Sequence, residues 1–139
     1  MSILQGLTNS FKQQILLGEH DLETDTLKIA LYTASANLNQ DTTVYSTANE
    51  ISGTGYTAGG KELSNVTVSL TGGTAYVSFD NPSWNPASFT ARCALIYNSS
   101  KSNKSIAVLD FGSDKTTTTS FTVQLPANTP ADALIRISN

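Results

Sequence analysis

The sequence has little of what most catalytic and metal sites require. It holds one cysteine and one histidine in 139 residues. A single cysteine excludes an internal disulfide framework and a metal site built from several thiolates. A single histidine excludes a multi-imidazole site and leaves a Ser-His-Asp triad only His20 as its base. The position of His20 between Glu19 and Asp21 favours contact with a helix C-terminus or water over that role.

Charge is also scarce, and its balance does not suit nucleic-acid binding. Only 14% of the residues are charged, the eight Lys and Arg are scattered along the chain, and the formal net charge is −3. Phosphate recognition needs a basic stripe, so no nucleic-acid partner is expected. No apolar run approaches the ~20 residues that span a bilayer, and the N-terminus lacks the pattern of a secretory signal. Neither a membrane partner nor Sec export is therefore expected.

What the chain does have is a composition suited to a packed domain. Hydrophobic residues make up 39% of it, and Ser, Thr and Asn stand where many proteins carry charge. Disordered chains combine low hydrophobicity with high net charge, and neither holds here. At 139 residues, without an internal repeat or linker, the chain is predicted to form one domain over residues 1–139.

A long hairpin is the clearest structural prediction. Two β-forming runs at residues 89–97 and 105–111 flank the polar loop 98–104. Apolar residues occur at both odd and even positions of these runs, as at Leu95 and Ile96. Because successive side chains of a strand point to opposite faces, this pattern predicts central strands covered on two sides.

The N-terminal segment is the one helix candidate. A helix over residues 3–17 would begin at Ser2 as its cap and end at Gly18, which suits a left-handed C-terminal cap. Two arrangements are open: the apolar stripe packs on the chain's own sheet, or residues 1–18 form an arm laid on a neighbouring subunit. The stripe consists of residues spaced by three and four, Leu4, Leu7, Phe11 and Ile15.

The rest of the chain reads as short strands separated by turns. The turn at Gly72-Gly73 joins two runs in which the apolar residues 66, 68 and 70 face 75, 77 and 79. Frequent short strands predict a mainly β fold, an antiparallel β-sandwich or jelly-roll-like domain with one N-terminal α-helix. The strands outside the hairpin are predicted at residues 27–33, 44–51, 63–70, 74–79, 120–125 and 133–137.

Motifs for catalysis or cofactor binding are incomplete. Residues 55–62 approach a phosphate-binding loop, but Glu62 stands where the motif needs Ser or Thr, and a strand rather than a helix follows. Asp21, Glu23 and Asp25 alternate as in a Ca²⁺ loop, without the Gly and Glu that its later positions require. We therefore expect no enzyme, no cofactor and no metal.

Aromatic residues offer a binding alternative. A tryptophan and several tyrosines on a sheet face could stack on sugars, although aromatic residues on strands more often pack in a core. Trp84, between Pro82 and Pro86, is expected to plug one end of the core, and Cys93 to be a buried small hydrophobe. The set comprises Trp84, Tyr45, Tyr56, Tyr76 and Tyr97.

Two segments, EISGTGYTAGG at residues 50–60 and ARCALIYNSSKSNKSIAVLDFGSDK at 91–115, resemble a family of small tailed-phage virion structural proteins. LTNSFK at residues 7–12 and TLKIALYTAS at 26–35 resemble the same family. The resemblance implies a capsid decoration (cement) protein that is made in the host cytoplasm and lies on the capsid surface of the virion. Its implied partners are the major capsid protein or other virion proteins, with a homo-oligomer, such as a trimer, as the assembly.

Partner contact is expected mainly from the apolar stripe, since an exposed apolar helix face becomes useful once a partner buries it. The turn around Trp84 and the loop carrying Lys101 are further candidates. Two other functions stay open: a tail, neck or fibre component of the virion, and a carbohydrate-binding adhesin module. The predicted contact residues are Leu4, Leu7, Phe11, Ile15, Trp84 and Lys101.

Overall fold

The computed structural model describes residues 3–138 and confirms a mainly β chain, with 41% strand against 8% helix. All strand pairs within the sheets are antiparallel. No helix among the described residues is long and apolar enough to cross a membrane. In chain order the elements are β1 Gly6–Leu7, α1 Asn9–Leu16, β2 Leu27–Tyr32, β3 Lys61–Glu62, β4 Thr67–Thr71, β5 Thr74–Ser78, β6 Ser83–Trp84, β7 Phe89–Asn98, β8 Lys104–Thr117, β9 Phe121–Thr122 and β10 Arg136–Ile137.

Residues 3–138 form three sheets. The large sheet has the order β1-β8-β7-β2-β3, the small sheet has the order β10-β5-β4, and β6 pairs with β9 alone. One core cluster contains residues of β2 and β7 together with residues of β5, α1 and the C-terminal segment. The arrangement is sandwich-like, with sheets that do not close on themselves. The predicted fold class, mainly β with antiparallel sheets and one N-terminal helix, is confirmed.

The predicted central hairpin is confirmed as β7 and β8. Ile96 lies in the larger core cluster on one face of the sheet, and Leu95 lies in a second cluster on the other. Both side chains are fully buried. Strand β8 runs six residues beyond the predicted end at Phe111, so that Thr117 pairs with Phe89. The extension is polar and largely exposed, so it lacks the alternation of apolar residues from which a strand is predicted.

The predicted helix over residues 3–17 is wrong in its first half. Leu7 lies in strand β1, opposite Ala107, and the Leu4 backbone N–H donates to Leu38. Helix α1 begins only at Asn9, because Thr8 acts as its N-cap and accepts from the Phe11 N–H at 3.4 Å. The predicted cap, Ser2, lies outside the described residues.

The end of the helix follows the prediction. Gly18 has φ +72° and follows the C-cap residue Leu17. The Gly18 N–H donates to Ile15 at 3.2 Å, and the Glu19 N–H donates to Gln14 at 2.9 Å. These are the two bonds of a Schellman motif, which glycine favours because it carries no Cβ.

The small sheet contains the predicted hairpin with its turn at Gly72 and Gly73. Both glycines have positive φ, as a two-residue type I′ turn requires. Other predicted strands are shorter than expected or absent. Residues 44–51 form only isolated bridges, Val44 with Lys104 and Glu50 with Tyr32. Residues 120–125 and 133–137 contribute two-residue strands, since most of their backbone lies in turns and irregular segments.

Candidate partner-contact surface

Two predicted contact residues are buried in the chain's own core. Phe11 is 1% exposed and Trp84 is 3% exposed, and both belong to the larger core cluster. Their predicted role in partner contact therefore does not agree with this structure. Phe11 faces inward because its helix packs on β8, where Thr8 donates to the Ile106 carbonyl.

Trp84 plugs one end of the core, as its turn position suggested. Its ring packs edge-on against Phe89 and Phe121 at centroid distances of 6.4 and 6.2 Å, and the Lys61 ammonium lies 5.6 Å above it. Tyr97 is also buried. These side chains therefore do not form an exposed platform for stacking on sugars.

The other predicted contact residues fall into two places. Leu4 is half exposed, whereas Leu7 and Ile15 are partly buried and pack against the core. Lys101 lies in the turn between β7 and β8, where its ammonium is 3.6 Å from Asp25. The stripe is therefore not one helix face, although three of its four members line a common groove.

That groove runs between α1 and β10 and measures about 540 Å³. Leu16 and Ile137 are the large apolar side chains most exposed within it, at 82% and 57%. We call it the α1–β10 groove. It is lined by Leu7, Phe11, Lys12, Ile15, Leu16, Leu134, Ile135, Arg136, Ile137 and Ser138.

A second groove of about 390 Å³ adjoins the first. The two share Ile15 and the segment 135–137, so they form one continuous surface. Val68 of β4 lines the second groove and is 46% exposed, while Leu70, opposite Ala75 on β5, is 76% exposed. Monomers rarely leave large contiguous apolar areas in water, so this surface is the candidate site for a partner.

Sequence reasoning missed the most exposed members of this surface. Leu16 and Leu17 follow Ile15 directly, and three consecutive apolar residues exceed what one helix face can bury. That run was the available signal on the helix. Ile137 of β10 lies two residues after Ile135 and so on the same face of the extended segment. Only the packing over Ile135, which is buried while Ile137 is exposed, distinguishes the two.

Cys93 is buried, and Glu50 is half-buried within the fold. Burial raises the pKa of the Cys93 thiol to about 12, which disfavours the thiolate form that acts as a nucleophile. The Glu50 carboxylate accepts hydrogen bonds from the Tyr45 hydroxyl at 2.6 Å, the Gly59 N–H at 2.8 Å and the Tyr56 hydroxyl. Burial also raises the pKa values of both tyrosines. Through these bonds Glu50 holds three parts of the irregular segment 44–60 together.

His20 is buried and hydrogen-bonded on both ring nitrogens. Nε2 is 2.8 Å from Gln14 Oε1 on the last turn of α1, and Nδ1 is 3.0 Å from Asn98 Nδ2. Of the two contacts predicted for His20, a helix C-terminus or water, the structure shows the helix end, which His20 reaches through the Gln14 side chain. Asn98 Oδ1 accepts from the Ser100 N–H, so the Asn98 amide nitrogen must face the imidazole and also Asp25. This arrangement favours a neutral ring with its proton on Nε2.

The pKa of His20 is lowered from its ordinary value of 6.5, chiefly by burial and then by the positive charge of Lys104. The negative charges of Asp25 and Glu19 oppose this shift. For Asp25, burial alone would raise the pKa, but hydrogen bonds from Asn98 and the backbone, with the charge of Lys101, lower it overall. The network joins the end of α1 to the end of β7 and favours neutral His20 beside ionised Asp25.

The acidic segment after the helix is engaged in backbone contacts. Asp21 Oδ1 accepts from the N–H groups of Glu23 and Thr24 at 3.3 Å, and Glu23 Oε2 accepts from the Val68 N–H at 3.0 Å. Among residues 3–138, no three His, Cys, Asp or Glu side chains are placed to hold a metal ion. The segment thus serves to attach β4 to the region after the helix.

Compared with known proteins, the chain matches no protein-family model, no curated protein and no solved structure. The geometry of its surface is therefore the ground for a functional proposal, and the resemblance to tailed-phage proteins stays a prediction.

Proposed function

We propose that this chain is a structural protein of a tailed-phage virion that decorates the capsid and binds the major capsid protein. The observation that carries the proposal is the continuous apolar surface of α1 and the small sheet. Leu16, Val68 and Ile137 are all exposed on its two grooves. The sequence resemblance supplies the identity of the partner.

The energetics of this surface suit a protein that works by binding. Burying an exposed leucine or isoleucine side chain is worth about 1.5–3 kcal/mol. Three such residues could thus supply several kcal/mol to a complex, before the cost of association is subtracted. In the free protein the same side chains lower solubility and contribute little to folding, so their exposure favours a role in contact.

The rest of the molecule suits a passive scaffold. The central strands are buried on both faces, which keeps the surface in a fixed geometry. A decoration protein binds many equivalent positions on a lattice, and a homo-oligomer such as a trimer would add avidity. Weak individual contacts would then be sufficient for stable attachment.

The test is binding of the purified full-length protein to mature phage capsids that lack it. Co-sedimentation should show saturable binding at micromolar concentration, and bound capsids should resist heat or chaotrope better than bare ones. Leu16→Gln and Ile137→Thr should weaken binding. Val44→Thr is the matched control, because Val44 is similarly exposed at 48% but lies outside both grooves.

The outcomes separate the alternatives. Binding to isolated tails and not to heads would replace the proposal with a tail, neck or fibre role. An absence of binding to either structure at micromolar concentration would overturn a virion role altogether. Equal effects of the groove variants and the Val44 control would show that the surface is not the contact.

A further inference from the structure

The α1–β10 groove is positively charged, whereas the chain as a whole is negatively charged. Lys12 of α1 and Arg136 of β10 both line it, and no Asp or Glu does. The formal net charge of the chain is nevertheless −3. The adjoining groove, which shares Arg136, is lined by Asp21. The α1–β10 groove itself has an apolar floor and only cations among its charged lining residues, which is a local exception on an acidic protein.

These two cations are unpaired in the part of the chain that the structure describes. The ion pairs of that part join other residues, namely Arg92 with Asp110, Lys101 with Asp25 and Lys104 with Glu19. Lys12 and Arg136 are both exposed. Their charges are free to meet carboxylates from outside, at positions where the same ligand would cover Leu16 and Ile137.

The charge pattern argues against a second copy as the occupant. A two-fold contact of groove against groove would bring Lys12 and Arg136 towards the same cations of the partner. Like charges brought together destabilise a contact, whereas opposite charges steer and orient it. Charge complementarity thus favours a partner segment that carries both apolar and acidic side chains.

The edge of β10 indicates the conformation of that segment. Strand β10 is the outer strand of the small sheet, and the Val77 N–H donates to the Ile135 carbonyl at 3.0 Å. In this antiparallel register the backbone N–H and C=O of Arg136 point away from β5. An extended segment could bond to these groups while its alternate side chains enter the groove.

We propose that the α1–β10 groove binds an extended segment of a partner protein that alternates apolar and acidic residues. The apolar side chains would pack on Ile15, Leu16 and Ile137, and the carboxylates would pair with Lys12 and Arg136. The inference rests on the proposed function in assigning the same surface, and it adds the chemistry of the partner.

The experiment uses the full-length protein, labelled with ¹⁵N, and two capped peptides. The probe is acetyl-Glu-Val-Glu-Leu-Glu-Val-amide, and the control replaces every Glu by Lys. The Glu peptide should shift the amide resonances of Lys12, Leu16 and Ile137 in a saturable manner, and the Lys peptide should bind at least about tenfold more weakly. Binding of the Glu peptide should weaken as salt rises, because exposed charge pairs are screened.

Variants separate charge from folding. Lys12→Gln combined with Arg136→Gln should reduce affinity for the Glu peptide about tenfold, since the variant loses two exposed ion pairs, each of modest strength. Lys115→Gln is the matched control, being an exposed lysine on β8 outside the groove. Unchanged ¹⁵N spectra away from the substitutions would show that the variants remain folded.

Three results would overturn the inference. The first is equal affinity for the two peptides, and the second is resonance shifts outside the groove. The third is self-association of the parent protein that the Leu16→Gln variant has lost. The last would make a second copy the occupant. The capsid assay keeps the two proposals apart. Capsid binding that survives Lys12→Gln with Arg136→Gln would contradict the inference alone. Peptide binding without capsid binding would contradict the proposed function alone.

Discussion

The β7–β8 hairpin carries apolar residues on both of its faces and is covered on both, whereas β4 carries its apolar residues on one face that is only partly covered. In β7, Leu95 and Ile96 are fully buried although they point to opposite faces. In β4, Val68 and Leu70 share one face and are 46% and 76% exposed. The difference arises because both faces of the large sheet are covered, whereas the small sheet leaves part of its apolar face open. Alternation of apolar residues therefore indicates a strand but not what covers it.

The two hairpins also differ in the role we assign to them: one supports the fold, and the other belongs to the proposed contact surface. The covered hairpin, β7 and β8, carries no exposed thiol, because its cysteine, Cys93, is buried. The open hairpin, together with the end of α1, leaves apolar side chains in water. Exposure that costs solubility needs another explanation, and binding to a partner supplies one.

The largest difference in the free energy of unfolding is expected when one leucine is truncated in each hairpin. Leu95→Ala should lower the free energy of unfolding by about 2–5 kcal/mol, because it leaves a cavity in a packed core. Leu70→Ala should change it by no more than about 0.5 kcal/mol, as expected at an exposed site. Urea unfolding followed by circular dichroism measures both. Equal losses would mean that the small sheet is as well covered as the large one.

Glycines in the two regions should also differ. A Cβ on Gly60 would lie 1.9 Å from the backbone oxygen of Ile29 in β2, at φ +82°. Gly60→Ala should thus cost about 3 kcal/mol, since strain and a backbone clash add together. Gly72, at the tip of the small-sheet hairpin, meets nothing within 4 Å, so Gly72→Ala should cost only about 1–2 kcal/mol of left-handed strain. A thermal unfolding series that ranks Gly72→Ala as the worse variant would contradict this prediction.

The His20 network, which joins the end of α1 to the large sheet, should make stability depend on pH. The folded-state pKa of His20 lies below its ordinary value of 6.5, so the unfolded chain binds the extra proton first. Its contribution to stability should be complete above that value and decline as the pH falls from 6.5 through the folded-state pKa.

Urea midpoints at a series of pH values test this prediction, with His20→Gln as the control. The variant should lose the pH dependence in that window while retaining the part due to carboxylates at lower pH. Asp25, whose pKa is also lowered, adds its own loss of stability only as the pH falls below the ordinary range of an aspartate. A variant with the same pH profile as the parent would show that His20 does not contribute.

The smallest effect is expected on the open surface. Leu16→Gln should change the free energy of unfolding by less than about 0.5 kcal/mol, because Leu16 is 82% exposed. Differential scanning calorimetry measures the change against Phe11→Ala on the same helix, which should cost about 3–5 kcal/mol at 1% exposure. A large loss from Leu16→Gln would mean that Leu16 supports the fold rather than a partner.

The sequence predicted some features well because they depend on local patterns. The hairpin of β7 and β8, the Gly72-Gly73 turn and the Gly18 cap each follow from residue types at fixed spacings. The start of α1 could not be read in the same way. The spacing of Leu4 and Leu7 suits a helix, but pairing of Leu7 with β8 satisfies the backbone through residues about a hundred positions away.

The candidate site was only partly accessible to sequence reasoning. Leu7 and Ile15 were predicted contacts and do line the groove, whereas Phe11 and Trp84 are core residues. Leu16 and Ile137 were missed. Whether an apolar residue is buried depends on which distant element packs over it. The apolar run at residues 15–17 indicated that some of its members stay exposed, but not which ones.

By itself, then, the sequence determined that the chain is an antiparallel β protein with one N-terminal helix, since hydrophobic period, turn residues and caps are local properties. Only the tertiary structure decided which apolar residues remain in water and which cations accompany them. Lys12 and Arg136 are more than a hundred positions apart and line one groove because α1 packs on β8 while β10 pairs with β5. Burial and charge proximity arise from packing between distant segments, so they exist only once the chain has folded.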